Sequence, residues 1–264
     1  MVVQDQMKRE IDIKNFPPNR IISLVPSITE LLVELGLSEK IVGITKFCIH
    51  PEEIFKSKEK IGGTKNLNIE KIKTLKPDLI IGNKEENVKS QIEELEKLFP
   101  VWMSDVNTYE DALDMIQSIG KITNTENTAH QISTQINSAF EELKHSTHLL
   151  KNKRVLYLIW YQPYMAVANQ TFIHNMLLKI GAINVLQNQN RYVEVDIETM
   201  QTLSIDYVLL SSEPFPFKEK HKEELQTLLG NKTKVILVDG EVFSWYGVRM
   251  RYLPSYLRML GESI

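Results

Sequence analysis

Two stretches of this chain concentrate aromatic and guanidinium side chains. WYQPYMAVANQ supplies Trp160, Tyr161 and Tyr164, and EVFSWYGVRMR supplies Phe243, Trp245, Tyr246, Arg249 and Arg251. Large flat rings with a few polar tips suit a large, partly apolar ligand. Arg249, directly after the Trp-Tyr-Gly turn, has the fork geometry that grips a carboxylate or phosphate, whereas Arg251 reads as a surface residue. The alternative is that these rings pack the rims of their own domain.

A third stretch, TKFCIHP, sets Cys48 and His50 two residues apart, a spacing from which both can reach one metal ion. Two ligands do not make a zinc site, so Cys48 reads as an apolar loop residue and His50 as a candidate ligand contact. His145 and His148 lie three apart on a helical stretch and read as solvated. No GxSxG, HExxH or GxxxxGK[ST] pattern occurs, so catalysis has no positive support and no metal-binding or catalytic residue is assigned. Formal net charge is -3 with 25% charged residues, which offers no basic surface to neutralise a nucleic acid backbone. The single cysteine rules out an internal disulfide.

The elements that must position these residues alternate. RIISLVP (20–26) is a β-branched run of the buried-strand type, followed at once by SITELLVELG, a helix with Ser27 and Glu30 at capping-box spacing. Strands at 41–45, 78–82 and 101–105 then alternate with helices from Asn68, over 84–98 and from Thr108, the signature of a parallel sheet flanked by helices. Residues 125–150 carry no strand signal and keep helical spacing at Ile132, Ile136, Phe140 and Leu143, predicting one helix of roughly 37 Å. Alternation resumes with RVLYLIW (154–160), a helix from Thr171 to Gly181, DYVLLSS (206–212) and VILVDG (235–240). In such sheets ligands bind beyond the carboxyl ends of strands, where all three stretches fall. The expected organisation is an N-terminal α/β lobe over 1–124, a linking helix over 125–150 and a C-terminal α/β lobe over 151–264.

The halves repeat each other. NIEKIKTLKPDLIIG from Asn68 and DIETMQTLSIDYVLL from Asp196 share a capping residue, Ile-Glu, Thr-Leu and the Asp before the strand. Glu70 and Glu198 thereby fall at matched places in the first turns of matched helices. The helix dipole alone can explain a carboxylate there; a pair of docking knobs, one per lobe, is the functional reading.

SLVPSITELL with GITKFCIHP, GGTKNLNIEKIKTLKPDLII, TFIHNML, DIETMQTL and DGEVFSWYGVR together resemble the cobalamin and iron-chelate substrate-binding proteins of ABC importers. The resemblance runs from about Arg20 over nearly the whole chain. It implies an α/β fold of two Rossmann-like lobes with parallel sheets bridged by a single long α-helix, and a receptor without catalytic turnover. The implied cargo is cobalamin or a related corrinoid, with a ferric siderophore, haem or an intracellular sensing role as alternatives; no resident cofactor is implied. Pro26, Ser27, Phe47, Gly63, Trp160, Tyr164, Trp245 and Arg249 fall in the loops that line the family's groove, and His50, Tyr161 and Tyr246 join them as neighbours in those loops. Glu70 and Glu198 match the glutamates that grip permease arginines. A monomer in the periplasm or cell envelope is implied, while the first twenty residues show no signal-peptide pattern or lipidated cysteine, which leaves a cytoplasmic location as the alternative.

Overall fold

The fold is that of a computed structural model, in which residues 1–262 are described. The chain divides into two compact units, residues 1–106 with 110–135, and residues 107–109 with 136 onward.

The first unit opens with a hairpin, β1 (Val2–Gln4) paired antiparallel with β2 (Glu10–Asp12). There follow β3 (Ile21–Ser23), α1 (Pro26–Glu34), β4 (Ile41–Ile44), α2 (Glu52–Ser57), β5 (Glu59–Lys60), β6 (Gly62–Gly63), β7 (Asn66–Leu67), α3 (Ile69–Leu75), β8 (Leu79–Asn83), α4 (Lys89–Glu96), β9 (Val101–Ser104) and α5 (Tyr109–Thr123). The main sheet has the order β5-β4-β3-β8-β9 with every pairing parallel. Its strands are apolar on both faces, as a sheet covered by helices requires; Ile21, Ile22, Ile80, Ile81 and Trp102 are fully buried.

Two boundaries depart from the sequence expectation, each for a local reason. Ser27 is not the cap of α1: Val25 holds the N-cap position and Pro26 occupies the first turn, where its missing N–H costs nothing, so the helix starts before the Ser-x-x-Glu box can act. The helix expected from residue 84 starts only at Lys89. Asn83 Oδ1 accepts the N–H groups of Glu85 and Glu86, and Asn87 Oδ1 accepts that of Asn83, a side-chain network that outcompetes the helix over those residues.

Helix α6 (Glu126–His145) is continuous, contains neither Gly nor Pro, and runs for about 30 Å at 1.5 Å per residue. The division between the units passes within it, after Gln135. His148, just beyond, is half-buried rather than fully solvated. Its Nε2 lies 2.9 Å from the Ile180 carbonyl, and burial pushes its pKa down.

The second unit continues with β10 (Arg154–Trp160), β11 (Met165–Val167), α7 (Phe172–Lys179), β12 (Ile183–Asn184), β13 (Tyr192–Glu194), α8 (Ile197–Thr202), β14 (Tyr207–Ser211), α9 (Glu219–Leu229), β15 (Lys234–Val238), α10 (Gly240–Ser244) and α11 (Leu253–Glu262). The sheet order is β13-β11-β10-β14-β15, with β12 also on β10. Here the expected parallel sheet carries an antiparallel addition at one edge. β10, β12, β14 and β15 are parallel, but β11 turns back antiparallel on β10 and β13 is antiparallel to β11. The cause is the Tyr161–Tyr164 turn, which folds the chain into a hairpin before it reaches the next helix. Leu156, Leu158, Val208, Leu210 and Val235 form the core beneath Met200 and Leu225.

The sequence repeat has a structural counterpart. Asn68 accepts the Lys71 N–H at 3.0 Å and Asp196 accepts the Thr199 N–H at 2.8 Å, so α3 and α8 start on the same side-chain cap.

Candidate functional site

In the first unit, the loops beyond β3 and β4 carry the sequence candidates. Pro26 and Ser27 open α1, and Ser27 Oγ is buried without a hydrogen-bond partner. Phe47, 50% exposed, stands beyond β4 with the Lys46 ammonium 5.1 Å from its ring centroid. Gly63 lets that ring in, since a Cβ at this position would lie 3.1 Å from Phe47 Cε2. His50 is half-buried in the same loop.

Cys48 sits inside, fully buried. Its Sγ lies 3.1 Å from Thr29 Oγ1 and 3.2 Å from Thr45 Oγ1, stapling this loop to α1, and burial pushes the thiol pKa up. Among the described residues no group of three or more His, Cys, Asp or Glu is placed to hold a metal. With its thiolate disfavoured, Cys48 in the folded protein is expected to alkylate with iodoacetamide at least about tenfold more slowly than in urea. Mass spectrometry of the adduct checks this; equal rates would place the thiol at the surface.

In the second unit, the carboxyl ends of β10 and β14 gather an aromatic cluster. Trp160, 43% exposed, meets Phe215 edge-on at 5.9 Å. Tyr161 contacts Tyr164, Phe215 and His221 at centroid distances of 5.5, 5.5 and 4.9 Å, and its hydroxyl donates to Glu224 Oε2 at 3.0 Å. Burial pushes the Tyr164 phenol up to about 12, so its hydroxyl keeps its proton. His221 caps α9, its Nδ1 accepting the Lys218 N–H at 2.9 Å; Nε2 therefore carries the proton in the neutral ring, and burial holds the pKa low.

Trp245, Tyr246 and Arg249 form a second, interior cluster. Trp245 is 8% exposed, its Nε1 donates to Glu213 Oε1 at 3.0 Å, and the Arg249 guanidinium lies 4.5 Å from its ring centroid. Arg249 is itself paired with Glu241 at 2.9 Å. Tyr246 is also buried and meets Phe172 edge-on at 5.8 Å. Glu213 additionally takes the Ser244 hydroxyl, and Gly240 makes this approach feasible, since a Cβ there would lie 2.3 Å from Ser211 Oγ and 2.7 Å from Glu213 Cγ.

Loop 212–218 thus serves both clusters, Glu213 holding Trp245 and Phe215 backing Trp160. Sequence reading passed over Glu213, Phe215, Phe217 and His221. The available signal was SSEPFPF directly after a strand, alternating Pro and Phe where a ligand loop belongs.

Glu70 and Glu198 are exposed in the first turns of α3 and α8. Glu70 pairs with Lys73 at 2.7 Å; Glu198 has no ion pair among the described residues.

Known proteins of similar sequence and fold bear on this arrangement. The chain is 28% identical over 190 residues to a vitamin B12-binding protein of Vibrio vulnificus, covering 71% of this chain and 69% of the relative. It is 27% identical over 218 residues to an uncharacterized ABC transporter substrate-binding lipoprotein of Bacillus subtilis, covering 79% of this chain and 68% of the relative. The fold matches a solved structure from Staphylococcus epidermidis described as a possible iron-binding (periplasmic solute-binding) protein, with a TM-score of 0.78, 23% identity and coverage of 93% and 98% of the two chains. Among the described residues no helix is long and apolar enough to cross a membrane. Residues 21–233 match the family model described as periplasmic binding protein, and the chain belongs to that family.

Proposed function

We propose that this chain is the substrate-binding protein of an ABC importer whose cargo is a metal chelate, a corrinoid in the first instance. The observation that carries the reading is the aromatic cluster at the carboxyl ends of β10 and β14. There Trp160 keeps 43% of its surface exposed while Phe215 meets it edge-on and is itself backed by Tyr161. A half-exposed indole braced by other rings loses little conformational entropy on binding a flat, partly apolar ligand. The B12-binding relatives favour a corrinoid within the broader class of chelates.

In this reading Trp160, Tyr161 and Tyr164 are the candidate chelate contacts of the second unit, and Pro26, Ser27, Phe47, His50 and Gly63 are the candidate ligand contacts of the first, each unit taken by itself. Trp245, Tyr246 and Arg249 shape the second unit's contribution from beneath. The protein works in the cell envelope as a single-chain receptor, takes no nucleic acid partner and catalyses no reaction; Glu70 and Glu198 meet the permease.

Titration of the purified protein with cobalamin, haem and several ferric siderophores, followed by absorbance and calorimetry, tests this. Saturable binding with one site per chain, tightest for a corrinoid, is the expected result. Tighter binding of haem or a ferric siderophore would keep the receptor and replace its cargo, and no saturable binding to any of them would remove the receptor reading.

A further inference from the structure

A cavity of about 470 Å³ lies within the second unit at the start of α7, lined by residues of polar type that include Asn107, Thr108, Asn169, Thr171, His174 and Arg191. The aromatic clusters described above do not line it.

His174 is the informative residue. It is 6% exposed, and its Nδ1 lies 3.1 Å from Asn184 Nδ2. The Asn184 amide has its orientation fixed by two backbone groups, since Oδ1 accepts the Leu186 N–H at 2.9 Å and Nδ2 donates to the Val167 carbonyl at 2.9 Å. The second hydrogen on Nδ2 therefore points to His174 Nδ1, which must accept it. That leaves the ring neutral with its proton on Nε2, a state that desolvation also favours. Nε2 has no hydrogen-bond partner among the described residues. A side chain that is only 6% exposed thus presents an Nε2–H without a protein partner at the cavity wall.

The surrounding groups have the same polarity. Thr171 caps α7 by accepting the His174 N–H at 3.2 Å, which leaves the first-turn N–H groups of Phe172 and Ile173 and the positive end of the helix dipole at this place. Arg191 Nη1 donates to the Gln170 carbonyl at 2.8 Å, which fixes a guanidinium at the wall. None of the lining residues is Asp or Glu.

We infer that this cavity is a binding site for an oxyanion, a carboxylate or phosphate group, with the His174 Nε2–H as its donor. The site stands independently of the chelate reading. The group it takes is either a free anion or the anionic arm of a larger ligand.

The test is a long-range ¹H–¹⁵N spectrum of the histidine rings in the full chain, titrated at constant ionic strength with inorganic phosphate, acetate and, as a neutral polar control, glucose. The His174 ring should show Nδ1 as acceptor and Nε2 protonated. It should shift saturably with phosphate and acetate and stay unmoved by glucose. Asn169→Asp provides the variant: it preserves the acceptor that takes the Gln170 N–H at 2.7 Å and adds a negative charge to the wall. It should weaken phosphate binding roughly tenfold or more while leaving the melting temperature close to that of the parent. Repeating the titration of Asn169→Asp with cobalamin and haem, which carry phosphate and carboxylate groups, separates the two sources. A parallel loss identifies an arm of the chelate, and unchanged chelate affinity identifies a free anion. Absence of a saturable shift, an equal response to glucose, or undiminished phosphate binding by Asn169→Asp would each overturn the inference.

Discussion

Trp245→Ala is expected to lower the unfolding free energy by about 3 kcal/mol or more, the usual cost of removing a large buried ring. Trp160→Ala should leave the melting temperature unchanged and weaken chelate binding roughly tenfold or more. The contrast rests on burial and partners. Trp245 is 8% exposed, donates to Glu213 and lies under Arg249, so its removal empties a cavity and leaves the Glu213 and Arg249 charges short of a neighbour. Trp160 stands 43% exposed, so its ring is available to a ligand. From sequence both rings look equivalent, each following a strand of the same sheet. Thermal melts and spectral titration of the two variants decide it; a stable Trp245→Ala with lost binding, beside a Trp160→Ala that binds normally, would exchange their roles.

Reversing both glutamates proposed to meet the permease, Glu70→Arg with Glu198→Arg, is expected to reduce transport in a reconstituted importer roughly tenfold or more, with each single change producing part of the loss. Neither side chain is needed by its own fold. Glu70 is exposed and, among the described residues, paired only with the neighbouring Lys73, and both helices are already capped, by Asn68 and Asp196. Chelate affinity and melting temperature should therefore stay near those of the parent. Undiminished transport by the double variant, with chelate binding confirmed, would reduce both glutamates to partners of their helix dipoles.

How far the fold was legible follows from what each signal depends on. The parallel strands and their order of appearance were readable because β-branched runs such as RIISLVP and DYVLL must be buried on both faces, whatever surrounds them. The paired caps were readable because a cap is a local bond between a side chain and an N–H three residues on. What depends on distant partners was not readable. The return of β11 on β10 needs the Tyr161–Tyr164 turn and the neighbouring β13 strand together, and the burial of Trp245 needs Glu213 from another loop. The N-terminal hairpin escaped notice because its strands are three residues each. Trp160 with Tyr161 and Trp245 with Tyr246 stand out as adjacent aromatic pairs, whereas Phe215 and Phe217 are single rings set apart by Pro216.

The two capped helices differ in one atom set, and acid distinguishes them. Asn68 does not titrate, so the cap of α3 persists at any pH at which the fold survives. Asp196 is a carboxylate whose pKa the Thr199 hydrogen bond holds below its ordinary value. Its contribution is complete above the unfolded value of about 4 and fades as pH falls through the lower folded value. Acidification therefore weakens the cap of α8, which carries Glu198, while the cap of α3 is untouched, so one sequence pattern yields a cap that responds to protons in one copy and ignores them in the other.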